Sequence, residues 1–333
     1  MKFASLREGG RNGSPLLVDR ALRRCLRLEN LAPSLQRILE DWDRLTPELE
    51  RLSARLEAGG APEAEPFDPA ACAAPLPRAY QFADASAYVT HVELVRKARG
   101  AEMPPSFWTD PLMYQGLSDR FLGPQEPIAV ADEAWGIDFE AELAVILDDV
   151  PMAVSPTAAG QHIRLITLIN DVSLRNLIPG ELAKGFGFFQ SKPANAFAPV
   201  AVTPDELGPA WNGARLALPL VSQVNGEEVG HPDASVDLTF DFPTLIAHAA
   251  RTRALSAGTV IGSGTVANQD PAVGSSCLAE IRMRETLDKG EPETSFLRFG
   301  DRVRIEMYDA EGRSVFGAID QPVVQYEGPP AVE

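Results

Sequence analysis

The chain is poor in cysteine and histidine, has no long apolar run and carries no excess of basic residues. Its 333 residues include 3 cysteines and 4 histidines. Cys25, Cys72 and Cys277 are scattered, odd in number and form no C-x-x-C pair. Neither a disulfide framework nor a cysteine-pair zinc site is therefore expected, and a reducing compartment fits best. No stretch approaches the roughly 20 apolar residues of a membrane span, and Met1-Lys-Phe-Ala-Ser5 lacks the pattern of a signal peptide. The formal net charge of -17 disfavours nucleic acid and anionic membranes as partners, since both select basic surface. Together these absences lead us to expect a soluble cytoplasmic protein. What is present is 45% hydrophobic residue, ample for a core.

Along the chain, residues 1 to about 27 read as strand, turn and strand, the turn lying at Gly9–Ser14. A helix is expected from Pro33, with Leu35, Ile38, Leu39, Trp42 and Leu45 on one stripe. A second should start at Thr46-Pro47, capped by Thr46, and end at Gly59-Gly60. Residues 59–78 are rich in Ala, Pro and Glu without periodicity and read as a linker. This predicts a small N-terminal domain plus linker over 1–78 and a large domain over 79–333. In the large part, strands are expected at 216–224, ending in the hairpin signal Asn225-Gly226, and at 301–308 and 314–319. Helices are expected at 155–165 and 241–255. Many strands with few intervening helices argue for a β-rich α+β fold.

The most informative segment is Gly136-Ile-Asp-Phe-Glu140-Ala-Glu142-Leu-Ala-Val-Ile146. In a strand, Glu140 and Glu142 point to the same side. Two carboxylates on one face of so apolar a strand repel unless a cation lies between them. Oxygen donors of this kind suit Mg²⁺, Mn²⁺ or Ca²⁺; the bland alternative is an edge strand with both glutamates in water.

Two familiar motifs fail. Gly262-Ser-Gly264-Thr-Val-Ala267 has dinucleotide-site spacing, but a turn follows where a helix N-terminus is needed. Gly180 and Gly185 have P-loop spacing, but Phe186 stands at the lysine position. Among the histidines, His162 and His248 read as ordinary helix residues and His231 as a loop residue. His91 stands apart, seven residues after Asp84 and shortly before several basic residues.

Taken together, Asp84-x6-His91, Tyr114-Gln-Gly116, Glu140-Ala-Glu142, Asn170-Asp171-Val-Ser-Leu-Arg175, Ser191-Lys192, Gly262-Ser-Gly264-Thr265 and Ser276-Cys-Leu-Ala-Glu280 resemble the fumarylacetoacetate hydrolase family over about residues 79–325. The resemblance implies a small N-terminal β/α domain and a mixed β-roll catalytic domain, usually dimeric. It implies that Asp84, Glu140, Glu142 and Asp171 hold a divalent metal, most simply Mg²⁺, with Mn²⁺ or Ca²⁺ as alternatives. His91 would be the general base and Glu280 its orienting carboxylate. Lys192 would donate to the oxyanion, while Tyr114, Arg175, Thr265, Ser86 and Arg99 would line the substrate site.

These residue types fit the cleavage of a C–C bond in a small anionic β-diketone acid. A neutral imidazole can activate water, and a carboxylate on its other nitrogen stabilises the imidazolium. A chelating dication stabilises the leaving enolate. The implied reaction is conversion of fumarylacetoacetate to fumarate and acetoacetate, as in tyrosine catabolism. Ile178, Asn195-Ala196 and Gln115-Gly-Leu117 depart from the family pattern around the substrate. Leu94 stands where the family's decarboxylases and acylpyruvate hydrolases carry a lid glutamate. Acylpyruvate hydrolysis, 2-oxo acid decarboxylation, isomerisation or hydration therefore stay open, as does a non-catalytic metal-binding dimer.

Overall fold

The central strands read as continuous apolar runs because both of their faces are covered. The computed structural model describes residues 1–98 and 102–328, so Arg99, expected near the substrate, lies outside the described residues. Among the described residues there are eighteen strands and seven α-helices, in chain order β1–β18 and α1–α7. The main sheet runs β4 (Glu65–Pro66), β3 (Arg24–Arg27), β2 (Ser14–Val18), β1 (Lys2–Leu6), β13 (Ala201–Val202), β10 (Ile163–Asn170), β9 (Ala141–Leu147), β16 (Val260–Gly262), β5 (Phe82–Ala85) and β6 (Met113–Gln115), with β12 (Ala196–Phe197) beside β10. A second sheet runs β15 (Glu227–Gly230), β14 (Leu220–Val224), β17 (Arg302–Met307), β18 (Ile319–Gln325) and β7 (Ile128–Val130). A short ribbon pairs β8 (Ile137–Asp138) with β11 (Ser173–Leu174). The result is the strand-rich α+β architecture expected.

Strand β9 shows how the layers form. Leu143, Val145 and Leu147 enter one core with Val303, Ile305, Met307 and Ile319 of the second sheet. The alternate residues Ala144 and Ile146 enter another, with Leu165, Ile169, Phe197 and Val260. That second core is closed by Leu35, Ile38 and Leu39 of α1 (Leu35–Glu40) and Leu45, Leu49 and Leu56 of α2 (Trp42–Glu57). Each fully buried aliphatic side chain contributes about 1.5–3 kcal/mol of transfer free energy, so this face is strongly specified.

The first 78 residues extend the main sheet: β1 pairs with β13 through Lys2↔Val202 and Phe3↔Ala201. The 59–78 segment packs as it crosses, burying Ala61, Phe67, Cys72, Ala74 and Leu76.

Several local expectations change. Helix α2 begins at Trp42, with Pro47 inside it, and Thr46 donates its hydroxyl to the Trp42 carbonyl at 2.7 Å in place of capping. The stripe Trp42, Leu45, Leu49, Leu52, Leu56 continues through Pro47, and packing overrides the missing donor. The helix expected over 155–165 is one turn, α4 (Pro156–Ala159), after which Ile163 opens β10. The run Ile-Arg-Leu-Ile-Thr-Leu-Ile suits a strand buried on both faces. Helix α6 (Phe242–Ala249), capped by Asp241, ends short of 255. The strands expected from 216 and 314 begin at Leu220 and Ile319. The Asn225-Gly226 hairpin forms, with φ of 54° and 85°. No helix of the described residues is long and apolar enough to cross a membrane.

Candidate active site

Five neighbouring strands deliver the site. In the order β10, β9, β16, β5, β6, they bring Asp171 just past the end of β10, Glu142 on β9, the Gly262–Thr265 loop after β16, Asp84 on β5 and Tyr114 on β6. Gly262 pairs with Asp84, and Asp84 with Tyr114, so the row is set by backbone register. Single ligand oxygens of Asp84, Glu142 and Asp171 lie within 4.8 Å of one another, all three residues buried. Glu140, one residue before β9, is not part of that group. Its Oε1 faces the Arg175 Nη2 at 2.7 Å and its Oε2 accepts from the Lys192 Nζ at 2.6 Å.

The electrostatics follow from this division. Burial, then repulsion from Asp84, Asp171 and Glu140, holds the Glu142 carboxyl well above the usual carboxylate range. Asp84 is raised by burial and then by Asp171, with Lys192 opposing. Asp171 is raised mainly by burial, which Lys192 partly offsets. For Glu140, burial would also raise the carboxyl, but Arg175 and Lys192 overcome it and hold it low. Lys192 stays charged despite burial because Asp171 and Glu140 flank it; it also donates to Asp171 Oδ2 at 2.6 Å and to Ser173 Oγ at 2.8 Å. Tyr114 donates its hydroxyl to Asp171 Oδ2 at 2.8 Å, and its ring meets Phe188 edge-on at 5.1 Å.

Both oxygens of Glu142 and Oδ1 of Asp171 are buried without a hydrogen-bond partner. Orphaned buried carboxyl oxygens are costly, and a hard divalent cation is the ligand that satisfies three converging carboxylates. The residues present fit such an ion. Ser86 and Thr265 stand on the loops leaving β5 and β16, half-buried and buried respectively.

The dyad comes from two helices that the sequence pattern did not reveal. His91 lies in the first turn of α3 (Val89–Ala98) and Glu280 in the first turn of α7 (Leu278–Lys289), and these helices pack together. His91 Nδ1 is 3.4 Å from Glu280 Oε2, and Glu280 Oε1 accepts from the Arg284 Nη2 at 2.7 Å. Burial would raise the Glu280 carboxyl, but His91 and then Arg284 keep it low. The contact through Nδ1 leaves Nε2 for a water or substrate proton.

The profile described as "Fumarylacetoacetate (FAA) hydrolase C-terminal" matches residues 81–324, and "Fumarylacetoacetase N-terminal domain 2" matches residues 1–78. The chain belongs to the fumarylacetoacetate hydrolase family. Within it, the chain is 27% identical over 219 residues to oxaloacetate tautomerase fahd2, mitochondrial, of Xenopus laevis, covering 65% of this chain and 58% of that protein. It is 25% identical over 214 residues to oxaloacetate tautomerase YisK of Bacillus subtilis, covering 64% and 61%. The chain thus spans about three-fifths of the length of these curated relatives. The maleylpyruvate hydrolase of Sphingobium sp. SYK-6, solved with manganese(II) and pyruvate, shares the fold at a TM-score of 0.66 and 17% identity, with 98% of this chain and 100% of that one covered. A 5-carboxymethyl-2-hydroxymuconate delta-isomerase from Mycobacterium smegmatis does so at 0.61 and 18%, with 98% and 100% covered. The family is one of enzymes; these sequence relatives are tautomerases, and a hydrolase and an isomerase share the fold.

Three features of this fumarylacetoacetate hydrolase family site were missed in the sequence. Asp138 is fully buried; its Oδ1 accepts from the Phe139 and Leu278 amides at 2.9 and 2.8 Å, and its Oδ2 from the Ala279 amide at 2.9 Å and the Arg175 Nε at 2.8 Å. It therefore ties Arg175 to the start of the helix that carries Glu280. Glu181 of α5 (Ile178–Leu182) accepts from the Phe189, Gln190 and Ser191 amides and pins the segment leading to Lys192. Burial opposes its ionisation, but these bonds and the Ser191 hydroxyl pull its carboxyl down to about 2. The failed dinucleotide motif also has a purpose here: a Cβ on Gly262 would overlap Asp84 Oδ1, and Gly264 (φ 76°) donates its amide to that same oxygen at 3.1 Å.

Proposed function

We propose that this protein is a divalent-metal-dependent hydrolase that cleaves a C–C bond in a small β-diketone acid, fumarylacetoacetate or an acylpyruvate of similar shape. The observation that carries the reading is the combination of three converging carboxylates with the His91–Glu280 pair. Asp84, Glu142 and Asp171 would hold the metal, with Glu140 within reach once Arg175 or Lys192 turns to substrate. Bound there, a dication supplies the Lewis acidity that stabilises an enolate.

The remaining work belongs to this chain's own residues. His91 Nε2 takes a proton from water as the water oxygen bonds to the substrate carbonyl carbon. Glu280 stabilises the imidazolium, and the 3.4 Å contact shortens as that charge forms. Lys192 Nζ donates to the oxyanion, a contribution of roughly 3 kcal/mol in comparable sites. The C–C bond then breaks, its electron pair passing into the enolate, which His91 protonates at carbon. Arg175, held from behind by Asp138, offers its guanidinium to a substrate carboxylate.

A second reading is tautomerisation of oxaloacetate, favoured by the names of the curated relatives. The same dyad would move a proton between carbon and oxygen. Purified protein is assayed with fumarylacetoacetate, an acylpyruvate and oxaloacetate, in Mg²⁺ or Mn²⁺ and after chelation. Metal-dependent release of two acids supports hydrolysis. Tautomerisation with every C–C bond intact would replace it with the second reading.

A further inference from the structure

A second constellation lies directly behind the catalytic imidazole, and its donors are of another chemical kind. One ligand atom each from His91, Cys277 and Glu280 falls within 4.8 Å of the others. Cys277 and Glu280 are buried, at 0% and 1% exposure, while the His91 side chain keeps 15% and gives a way in. Cys277 occupies the N-cap position of α7, yet its sulfur caps no amide of that helix. The first amides of α7 go to Asp138 instead, which leaves the Sγ free of a capping role.

We propose that His91, Cys277 and Glu280 form a soft-metal site that takes Zn²⁺ or Cd²⁺ and, by occupying the imidazole, switches the enzyme off. Nitrogen, thiolate and carboxylate are zinc's preferred donors, at about 2.0–2.1, 2.3 and 2.0–2.2 Å. Tetrahedral ligation at those lengths separates nitrogen and oxygen by about 3.3–3.5 Å, a range that includes the 3.4 Å between His91 Nδ1 and Glu280 Oε2. Cys277 completes the set by a side-chain adjustment, and a fourth position is left for water. Binding releases the thiol proton to solvent, so thiolate and Glu280 neutralise the dication. The neighbouring Arg175 does not oppose this strongly, because Asp138 and Glu140 already neutralise it.

Donor softness separates the two sites. The oxygen-only group Asp84, Glu142 and Asp171 suits Mg²⁺ or Mn²⁺, whereas a thiolate and an imidazole select zinc and cadmium. The sequence pattern hides the second site because His91 lies 186 residues before Cys277, with only Cys277 and Glu280 close in the chain.

Binding does not depend on the proposed reaction; inhibition rests on His91 being its base. Co²⁺ is titrated into the protein held in excess Mg²⁺, which keeps the carboxylate site occupied. The expected result is a sulfur-to-cobalt charge-transfer band in the wild type that is absent from Cys277→Ala and Cys277→Ser. No band in the wild type, or a band that survives both substitutions, overturns the site, and neither outcome needs a substrate. Zn²⁺ that displaces the cobalt should then stop turnover in Mg²⁺, reversibly on chelation and readdition of Mg²⁺. Both Cys277 variants should keep Mg²⁺-supported activity while becoming at least about tenfold less sensitive to Zn²⁺. Equal sensitivity in wild type and variants would put the inhibition at the carboxylates and overturn the switch. Full turnover with Zn²⁺ displacing the cobalt would instead show that His91 is not the base.

Discussion

At the scale of single residues, the proposed roles divide between donors that hold charge and donors that move a proton. His91→Ala should lower kcat by at least about 10²-fold while the protein still binds Mn²⁺, since the imidazole stands outside the three-carboxylate group. Calorimetric metal titration beside a turnover assay checks this, and surviving activity would remove His91 from the base role. Gly262→Ala should act the other way. Its Cβ would overlap Asp84 Oδ1, so Asp84 must move, and Mn²⁺ affinity should fall by about 10–100-fold with the fold intact. An unchanged affinity would mean that Asp84 is not a ligand. Much of this was legible because Glu140 and Glu142 sit two apart in a β-prone run and because the motifs follow the family's order. The pairing of Glu140 with Arg175 and Lys192 was not, since strand alternation gives the side a carboxylate faces and says nothing of which cation reaches it first.

Elements carry the next level, and here the helices were harder to read than the strands. Helix α7 buries only Leu278, Ala279 and Glu280, so its stripe is too short to register as a period. Its start is set by Asp138, 140 residues away, in place of a local cap. Removing that carboxylate by Asp138→Ala should destabilise the protein by about 3–5 kcal/mol, because it leaves the Phe139, Leu278 and Ala279 amides without their acceptor and takes from Arg175 one of its two carboxylate partners. Asp138→Asn should recover part of that stability, since its amide oxygen still accepts from Leu278. The amide nitrogen, however, cannot hold Arg175, so KM for an anionic substrate should rise with little change in metal affinity. Urea unfolding and steady-state kinetics on both variants test the point; a KM for Asp138→Asn equal to wild type would show that Arg175 needs no such support.

For the whole molecule, the strand order explains what a linear reading could not. Composition marks 59–78 as a break, yet β1 hydrogen-bonds to β13 and the α1–α2 pair covers the back of β9, β10 and β16. We therefore propose the 78/79 division as a boundary between sequence modules whose folding is joint. The same construction forces Glu142, Asp84 and Asp171 into the interior at one end of neighbouring strands, and this gives the protein a defined pH response. The three carboxyls have folded pKa values raised above their ordinary 4.5, 3.8 and 3.8, by burial first in each case, and then by neighbouring carboxylates, Asp84 for Glu142, Asp171 for Asp84 and Glu140 for Asp171. In the metal-free protein the folded state thus holds protons that the unfolded chain releases. Their contribution to stability is intact below the ordinary values and is lost as pH rises through the raised ones. A dication that replaces those protons should cancel the loss, so its stabilising effect should grow with pH. Thermal melts between about pH 5 and 8 should show Tm of the chelated protein falling with pH and the Mn²⁺-induced gain in Tm increasing. Glu140 and Glu280, whose carboxyls are held low, contribute the opposite trend only further to the acid side. A Mn²⁺-induced gain that is the same at both ends of the range would mean that proton and metal do not compete for this cluster.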